Sequence, residues 1–493
     1  MKTTLALLAL GALTACSADT PTAPPPSAEA LAMAGQASAA SDRISLCHRS
    51  GTGGVIIEVS PAAVAAHLRQ GDYLTRLAVS HTRGKPDDDT HFHRIGDALA
   101  AARAGRIARG EFRSAACRIT ITVGPGVFHG TGVPTGKPFF EDYPLMVDVP
   151  DITLRGALVM GLNGGRATGK NLAPLATSLA LQPEADGFAA PIIVANAHPS
   201  GPAGHGLTVE GFAFESGNGG GFAMLSMRVR RLVIQGNRFE AGFGVTLDLR
   251  ASRALLARNK MSGTRGCDMC LSGPGVYQVT GNRLVGGLAG HEGIIVGPVA
   301  DLGVPAGVEP FVLPAFAAVS ADIGNNEVRD YRLRTVSAAI RLIGGGPSDV
   351  SGSTQVTLHD NLLVNNMFGV TLDAGFPTAG TKLKGDIDLT LGHNDIRRSC
   401  QTDLFMTFSR HATGLGLGED PYLLNSTYRL TLGRDQPFSD AWFDNPPGLG
   451  NTLIVNGREI GHRTRRFFDG VTCPGTGGPV FPTAAAQGVA SGR

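Results

Sequence analysis

The stretch Leu232-Val-Ile-Gln-Gly-Asn-Arg-Phe239 returns as Leu255-Leu-Ala-Arg-Asn-Lys-Met261, Tyr277-Gln-Val-Thr-Gly-Asn-Arg-Leu284, Ala321-Asp-Ile-Gly-Asn-Asn-Glu-Val328, Val356-Thr-Leu-His-Asp-Asn-Leu-Leu363 and Leu389-Thr-Leu-Gly-His-Asn-Asp-Ile396. Each copy is a short alternating strand, an asparagine, and an apolar residue two positions later. The asparagines stand at 237, 259, 282, 326, 361 and 394, so two intervals are single units of 22 and 23 residues, 44 is a double unit, and 35 and 33 are units carrying loop insertions. A repeat of this length marks a solenoid, in which each unit buries its apolar face only by stacking on its neighbours. Strands of successive rungs then pair in parallel, about 4.8 Å apart. Asparagine suits the bend because it tolerates the left-handed backbone region, and its amide can bond to the same residue one rung away.

Weaker copies extend the array upstream to Ile152-Thr-Leu-Arg-Gly156 and Leu207-Thr-Val-Glu-Gly-Phe212, and downstream to Leu430-Thr-Leu-Gly433 and Leu453-Ile-Val455. Together these copies resemble the pectin-lyase-like right-handed parallel β-helix superfamily. Ahead of them, Ile95, Ala98, Leu99, Ala102 and Ile107 recur at helical spacing and predict an amphipathic helix over 95–109. It feeds the alternating strand Arg118-Ile-Thr-Ile-Thr-Val123 and the turn Gly124-Pro125-Gly126, an order similar to that superfamily's amino-terminal cap. The expected fold is all-β, a right-handed parallel β-helix over 95–470 with an N-terminal capping helix. An antiparallel sandwich or a propeller is the structural alternative, but propeller blades carry aromatic signatures and the chain has one Trp.

Composition agrees. Of 493 residues 68 are glycine, about twice the usual share, and charged residues make up only 17%. The formal net charge is +2, which provides no electrostatic footprint for nucleic acid.

The amino end reads as an address. Lys2, the apolar stretch 5–13 and Leu13-Thr14-Ala15-Cys16 resemble a bacterial lipoprotein signal peptide over 1–15, with Cys16 as the lipidated residue. Ser17 after the cysteine resembles the outer-membrane sorting pattern. The tract 16–43 is a Pro/Ala/Ser-rich tether, 44–94 a small Cys/His module, and 471–493 a flexible tail. No later stretch offers about 18 uninterrupted apolar residues, so the expected membrane attachment is the lipid alone. The expected location is the cell envelope, as an outer-membrane lipoprotein or a secreted protein. Six further cysteines remain, and an even number in an exported chain suggests disulfides. The local pairings are Cys47 with Cys117, Cys267 with Cys270, and Cys400 with Cys473. Cys267-Asp-Met-Cys270 lacks the second CxxC of a four-ligand zinc site and reads as a structural turn disulfide.

Within the small module, Cys47-His48, Val59-Ser60, Ala66-His67-Leu68 and Gly71-Asp72 resemble a motif of exported bacterial proteins. That motif often has a second His before Gly-Asp, where this chain has Gln70. Downstream, Asp87, Asp89, His91 and His93 form a short acidic and imidazole tract near His81, readable as a divalent-metal site or as a solvated linker.

Candidate chemistry lies on two near copies, Phe243-Gly-Val-Thr-Leu-Asp-Leu-Arg250 and Phe368-Gly-Val-Thr-Leu-Asp373. Alternation sends Val245, Leu247 and Leu249 inward and Thr246, Asp248 and Arg250 outward. Val370 and Leu372 likewise point in, and Thr371 and Asp373 point out. The equivalent strands place Arg341 outward, and Ile295 outward beside His291 and Glu292. The superfamily resemblance implies two chemistries: lyases in which Arg341 is the base and Asp248 or Asp373 hold Ca²⁺, and glycosidases with paired carboxylates. The alternative is ion pairing along a solvated face. Gly204-His205-Gly206 matches a polygalacturonase tripeptide without that family's other elements, and reads as a glycine turn. Two inserts, 161–202 and 297–318, are rich in Gly, Ala and Pro, and in a solenoid such inserts project from one face. The expected role is carbohydrate-associated, a polysaccharide lyase or hydrolase working as a monomer, or else a non-catalytic glycan-binding or adhesion protein.

Overall fold

The computed structural model describes residues 43–461 except 52, 81–87, 112–114, 130–142, 158–176, 182–191, 197–205, 217–221, 241–242, 244, 265, 287–291, 299–315, 333–336, 346–349, 376–381, 409–421, 437–440 and 445–447. Cys16, the tether, Asp87, His81, His205, His291, Cys473 and most of both inserts lie outside the described residues.

Each full rung runs through three strands. A well-formed example enters Val245–Ala257, a long strand that turns a corner between Arg250 and Arg253, then bends at Asn259 and continues as Lys260–Ser262. Stacking the first segments gives face 1, which includes Cys267–Leu271, Glu292–Val296, Ala338–Gly345, Phe368–Gly375 and Thr402–Thr407. Second segments build face 2, from Ile119–Val123 through Gly275–Thr280, Phe316–Gly324, Ser351–His359 and Gly385–Gly392 to Thr427–Leu432 and Thr452–Val455. Third segments form the nine-stranded face 3, from Gly126–His129 to Asp395–Arg397. Pairing within each face is parallel, as the repeat requires: Leu256 pairs with Val279, Val279 with Ile323, Ile323 with Leu358, and Leu358 with Leu391. These columns point inward, and burying each such side chain contributes about 1.5–3 kcal/mol. Phe128, Phe214 and Phe239 fill the face 3 side, with the last two rings stacked at 4.7 Å. The chain is thus a parallel β-helix of three-sided rungs.

The asparagine repeat is a buried ladder along the corner between faces 2 and 3. Nδ2 of Asn237, Asn259, Asn282, Asn326 and Asn361 each donates to Oδ1 of the next asparagine at 2.9–3.2 Å, and Asn394 donates to Oε1 of Gln436 at 2.9 Å. The same oxygens also accept the backbone N–H of the preceding rung's asparagine. Two points differ from the sequence reading. The 44-residue interval is one rung carrying a loop insertion, not two rungs, because Asn282 bonds directly to Asn326 and their strands pair as neighbours. The left-handed backbone belongs to the residue before each asparagine: Gly236, Arg258, Gly281, Asn325, Asp360 and His393 have φ of 55–65°. What the repeated asparagines share is the amide ladder, which pairs polar groups that would otherwise be buried unsatisfied.

At the amino end, α1 (Pro61–Arg69) packs beside an antiparallel sheet of Ile44–Ser50, Gly53–Val59 and Tyr73–Leu74. The strand Arg76–Val79 already pairs in parallel with Ile119–Val123, so face 2 starts inside the stretch read from sequence as a separate module. Capping helix α2 (Ile95–Ala108) buries Ile95, Ala98, Leu99 and Ala102. Ile107, read from sequence as part of that stripe, is 43% exposed instead, and Arg106 takes the buried position. Arg106 is tolerated there because it donates to Glu111 at 2.7 Å, to the Tyr73 hydroxyl and to the Cys117 carbonyl, and lies over the Tyr73 ring. A hairpin of Thr452–Val455 and Arg458–Ile460 closes face 2 at the far end.

Candidate functional site

Alternation on face 1 sends Asp248, Arg250, Arg341, Thr371 and Asp373 outward, but the outer surface of this face is not solvated. Asp248, Thr371 and Asp373 are 0% exposed, and Arg250 and Arg341 are 2% exposed. A charge held that far from water must be neutralised where it stands. Arg250 donates to Asp248 at 3.1 Å, and Ser272 adds a hydrogen bond to the same carboxylate at 2.9 Å. Three rungs further on, Arg341 grips Asp373 through Nε at 2.8 Å and Nη2 at 3.3 Å, and reaches Glu292 at 3.1 Å. Between the two charged groups lies an apolar patch of Cys267, Cys270, Ile295 and Ile343, with Val245 against it.

This geometry weighs against the catalytic reading of Asp248, Arg341 and Asp373. Burial alone would lower the basicity of Arg341, but the carboxylates of Asp373 and Glu292 outweigh it and raise its pKa above the ordinary arginine value. A guanidinium so stabilised in its protonated form is a poor proton acceptor. Asp248 and Asp373, the acids read as Ca²⁺ holders, are each gripped by an arginine.

Face 1 also departs from strict alternation at its first corner. Cys267 pairs with Glu292 and Met269 with Ile294, but the ladder is interrupted between them. Two consecutive residues, Asp268 and Met269, turn inward, and Cys267 and Cys270 fall on the outer side. Val245 and Thr246 are shifted the same way, reversing their expected directions. Three steps of extended strand span about 10 Å; the Cα atoms of Cys267 and Cys270 are 6.1 Å apart, and the two are disulfide-bonded on the strand rather than in a turn. Cys47 is bonded to Cys117, and Cys400 is also disulfide-bonded.

Inside that corner Asp268 is wholly buried. It accepts from Thr246 at 3.1 Å and from the Tyr331 hydroxyl, whose ring belongs to the main core. Burial pushes its pKa up to about 6, against the opposing hydrogen bonds of Thr264, Tyr331 and Thr246. Nothing in the alternation pattern flagged this acid, because only the interrupted ladder turns it inward.

The acidic and imidazole tract does not gather as a metal site among its described residues. Asp88 accepts from the backbone of Thr90 and His91, both at 2.8 Å, and His91 Nε2 lies 2.6 Å from Ser80 Oγ. The residues that do converge come from the module motif. His48 Nδ1 lies 2.9 Å, and His67 Nδ1 2.8 Å, from the same Asp72 Oδ2. Asp72 is held below the usual carboxylate range: burial pushes it up, but hydrogen bonds to His48 and His67 prevail.

Face 2 shows the opposite surface. In register outside it stand Gln278, Asp322, Thr357, Thr390 and Thr431, all exposed, beside a second column of Val276, Ser320, Gln355, Asp388 and Arg429. Phe316, 56% exposed, flanks them on the same face.

No protein-family description matches the sequence, and no curated protein matches it. Among solved structures, the chain is similar to a tailspike protein mutant of E. coli bacteriophage HK620 in complex with a pentasaccharide, at 12% identity over 84% of this chain and 82% of that chain, with a TM-score of 0.33.

Proposed function

We propose that this protein is an exported, lipid-anchored β-helix of the cell envelope that binds glycan along face 2 without cleaving it. The observation that carries the reading is the exposed double column of hydroxyl, amide and sparse carboxylate groups, repeated at the rung spacing of about 4.8 Å. Such a strip offers donors and acceptors at regular intervals to a polymer whose hydroxyls recur along its length. Phe316 adds an apolar platform for the face of a sugar ring. A net count of one Arg against two Asp in these columns favours a neutral or weakly charged polysaccharide over a polyuronate. The mutual neutralisation of the face 1 acids and arginines supports binding over catalysis. Export is supported by the Cys47–Cys117 bond, since disulfides persist in oxidising compartments. Anchoring rests on Cys16 and its lipobox resemblance.

The test is incubation of the purified chain with a panel of neutral and acidic polysaccharides, with and without Ca²⁺. Retention without products is the expected outcome, weakened by Phe316→Ala combined with Thr357→Lys in a chain of unchanged thermal stability. Unsaturated uronate ends would instead show lyase chemistry, new reducing ends hydrolysis, and either overturns the binding-only reading.

A further inference from the structure

The module motif brings three metal-competent groups to one point from three different elements. His48 stands on Ile44–Ser50 next to Cys47, whose bond to Cys117 pins that strand to the core. His67 is in the last turn of α1. That helix ends in a two-bond glycine cap: the Gly71 N–H donates to the Leu68 carbonyl at 3.1 Å and the Asp72 N–H to the His67 carbonyl at 3.1 Å. Gly71 takes φ +85°, a conformation that costs a side-chain-bearing residue energy, and this reversal carries Asp72 back beneath His67. The Asp72 side chain is 2% exposed, against 25% for His67 and 43% for His48. Its Oδ1 accepts the Arg49 N–H at 3.4 Å, and its Oδ2 faces both imidazoles.

We propose that His48, His67 and Asp72 form a site for a divalent transition-metal ion, with zinc as its first choice. The ligand atoms already lie within 4.8 Å of one another. Metal–nitrogen and metal–oxygen bonds of about 2.0–2.2 Å need only small shifts from this arrangement. Two imidazoles and one carboxylate suit zinc and its neighbours, and exclude a Ca²⁺ or Mg²⁺ site, which takes oxygen ligands. In the metal-free protein the two Nδ1 atoms share Asp72 through hydrogen bonds; on binding, each imidazole adopts its Nε2–H tautomer and offers the Nδ1 lone pair. Three protein ligands leave a fourth position, which the half-exposed His48 side opens to solvent. Glycan binding on face 2 plays no part in this proposal, so the two stand or fall separately.

The test uses the full chain, stripped with chelator and titrated with Zn²⁺ by calorimetry, then with Co²⁺ as a spectroscopic probe. One equivalent of Zn²⁺ is expected, with Co²⁺ visible bands that Zn²⁺ displaces. His48→Gln with His67→Gln should cut affinity at least tenfold while the Cys47–Cys117 bond and the far-ultraviolet dichroism persist. As a measurement independent of any variant, Zn²⁺ should shield His48 and His67 from diethylpyrocarbonate in the unsubstituted chain, mapped by mass spectrometry. Absence of Zn²⁺ uptake, equal affinity in a folded double variant, or shielding of His91 and His93 instead would each overturn the proposal and leave the cluster a hydrogen-bonded support for the turn.

Discussion

Past the interruption at its first corner, face 1 follows the same two-residue alternation as face 2 and carries the same kinds of outward side chain, yet the two meet different surroundings. Outside face 1, Asp248, Arg250, Arg341 and Asp373 are buried in matched pairs; outside face 2, Asp388 and Arg429 pair at 3.2 Å with side chains 41% and 54% exposed. The contrast teaches that strand periodicity fixes direction, and that only the chain lying over a face decides whether an outward charge is wet. The energetic weight of an ion pair follows from the second fact. A buried pair must be matched or the protein is destabilised strongly, whereas an exposed pair is nearly optional.

The sharpest way to break the comparison is to unpair one charge on each face. Arg341→Ala strands Glu292 and Asp373 away from water and should cost about 3–5 kcal/mol, read from the denaturant midpoint. A loss below about 1 kcal/mol would show that face 1 is solvated after all. Next in size is Asp268, whose folded pKa of about 6 lies above the ordinary aspartate value of 3.8. Its contribution to stability is therefore fully present below 3.8 and is lost as pH rises through about 6. The loss is on the order of 3 kcal/mol, and Asp268→Asn should flatten that part of the stability-against-pH curve. Asn282→Ala probes the corner where face 2 passes into face 3: it removes the acceptor of Asn259 and the side-chain donor to the Leu256 carbonyl. A cost of about 2 kcal/mol is expected by thermal or chemical unfolding. Smallest is Arg429→Ala, which should shift stability by no more than about 0.5 kcal/mol and lose even that in high salt.

Much of this architecture was legible because it is local and periodic. Asn237, Asn259, Asn282, Asn326, Asn361 and Asn394 announced the rung, and alternation gave the correct outward direction for Asp248, Arg341 and Asp373. It failed at Val245 and Thr246, where an interrupted ladder puts two successive side chains on one side, because no periodic pattern marks such an interruption. It gave no measure of exposure either, since burial outside face 1 depends on what lies over it and not on the strand itself. In α2, helical spacing chose Ile107 over Arg106 by polarity, although a matched partner in Glu111 lets the arginine go inside. His48, His67 and Asp72 were each quoted within a motif, but their convergence needs the antiparallel sheet and the reversal at Gly71, which spacing alone does not reveal.

The way the amide row ends has a consequence for assembly. Every asparagine in it hands one amide hydrogen to the next rung's side-chain oxygen and the other back to a carbonyl of the preceding rung, so the side-chain row is a polar thread with a direction and an end. Gln436 stops it: its Oε1 takes the last of these bonds, while its Nε2 turns back to the Asn394 carbonyl at 3.0 Å. The longer side chain folds the thread onto itself. With the Arg458–Ile460 strand folded back antiparallel on Thr452–Val455, neither the side-chain thread nor the parallel main-chain ladder of face 2 runs on past this end among the described residues, and an open continuation of that kind is what templates pairing with another chain.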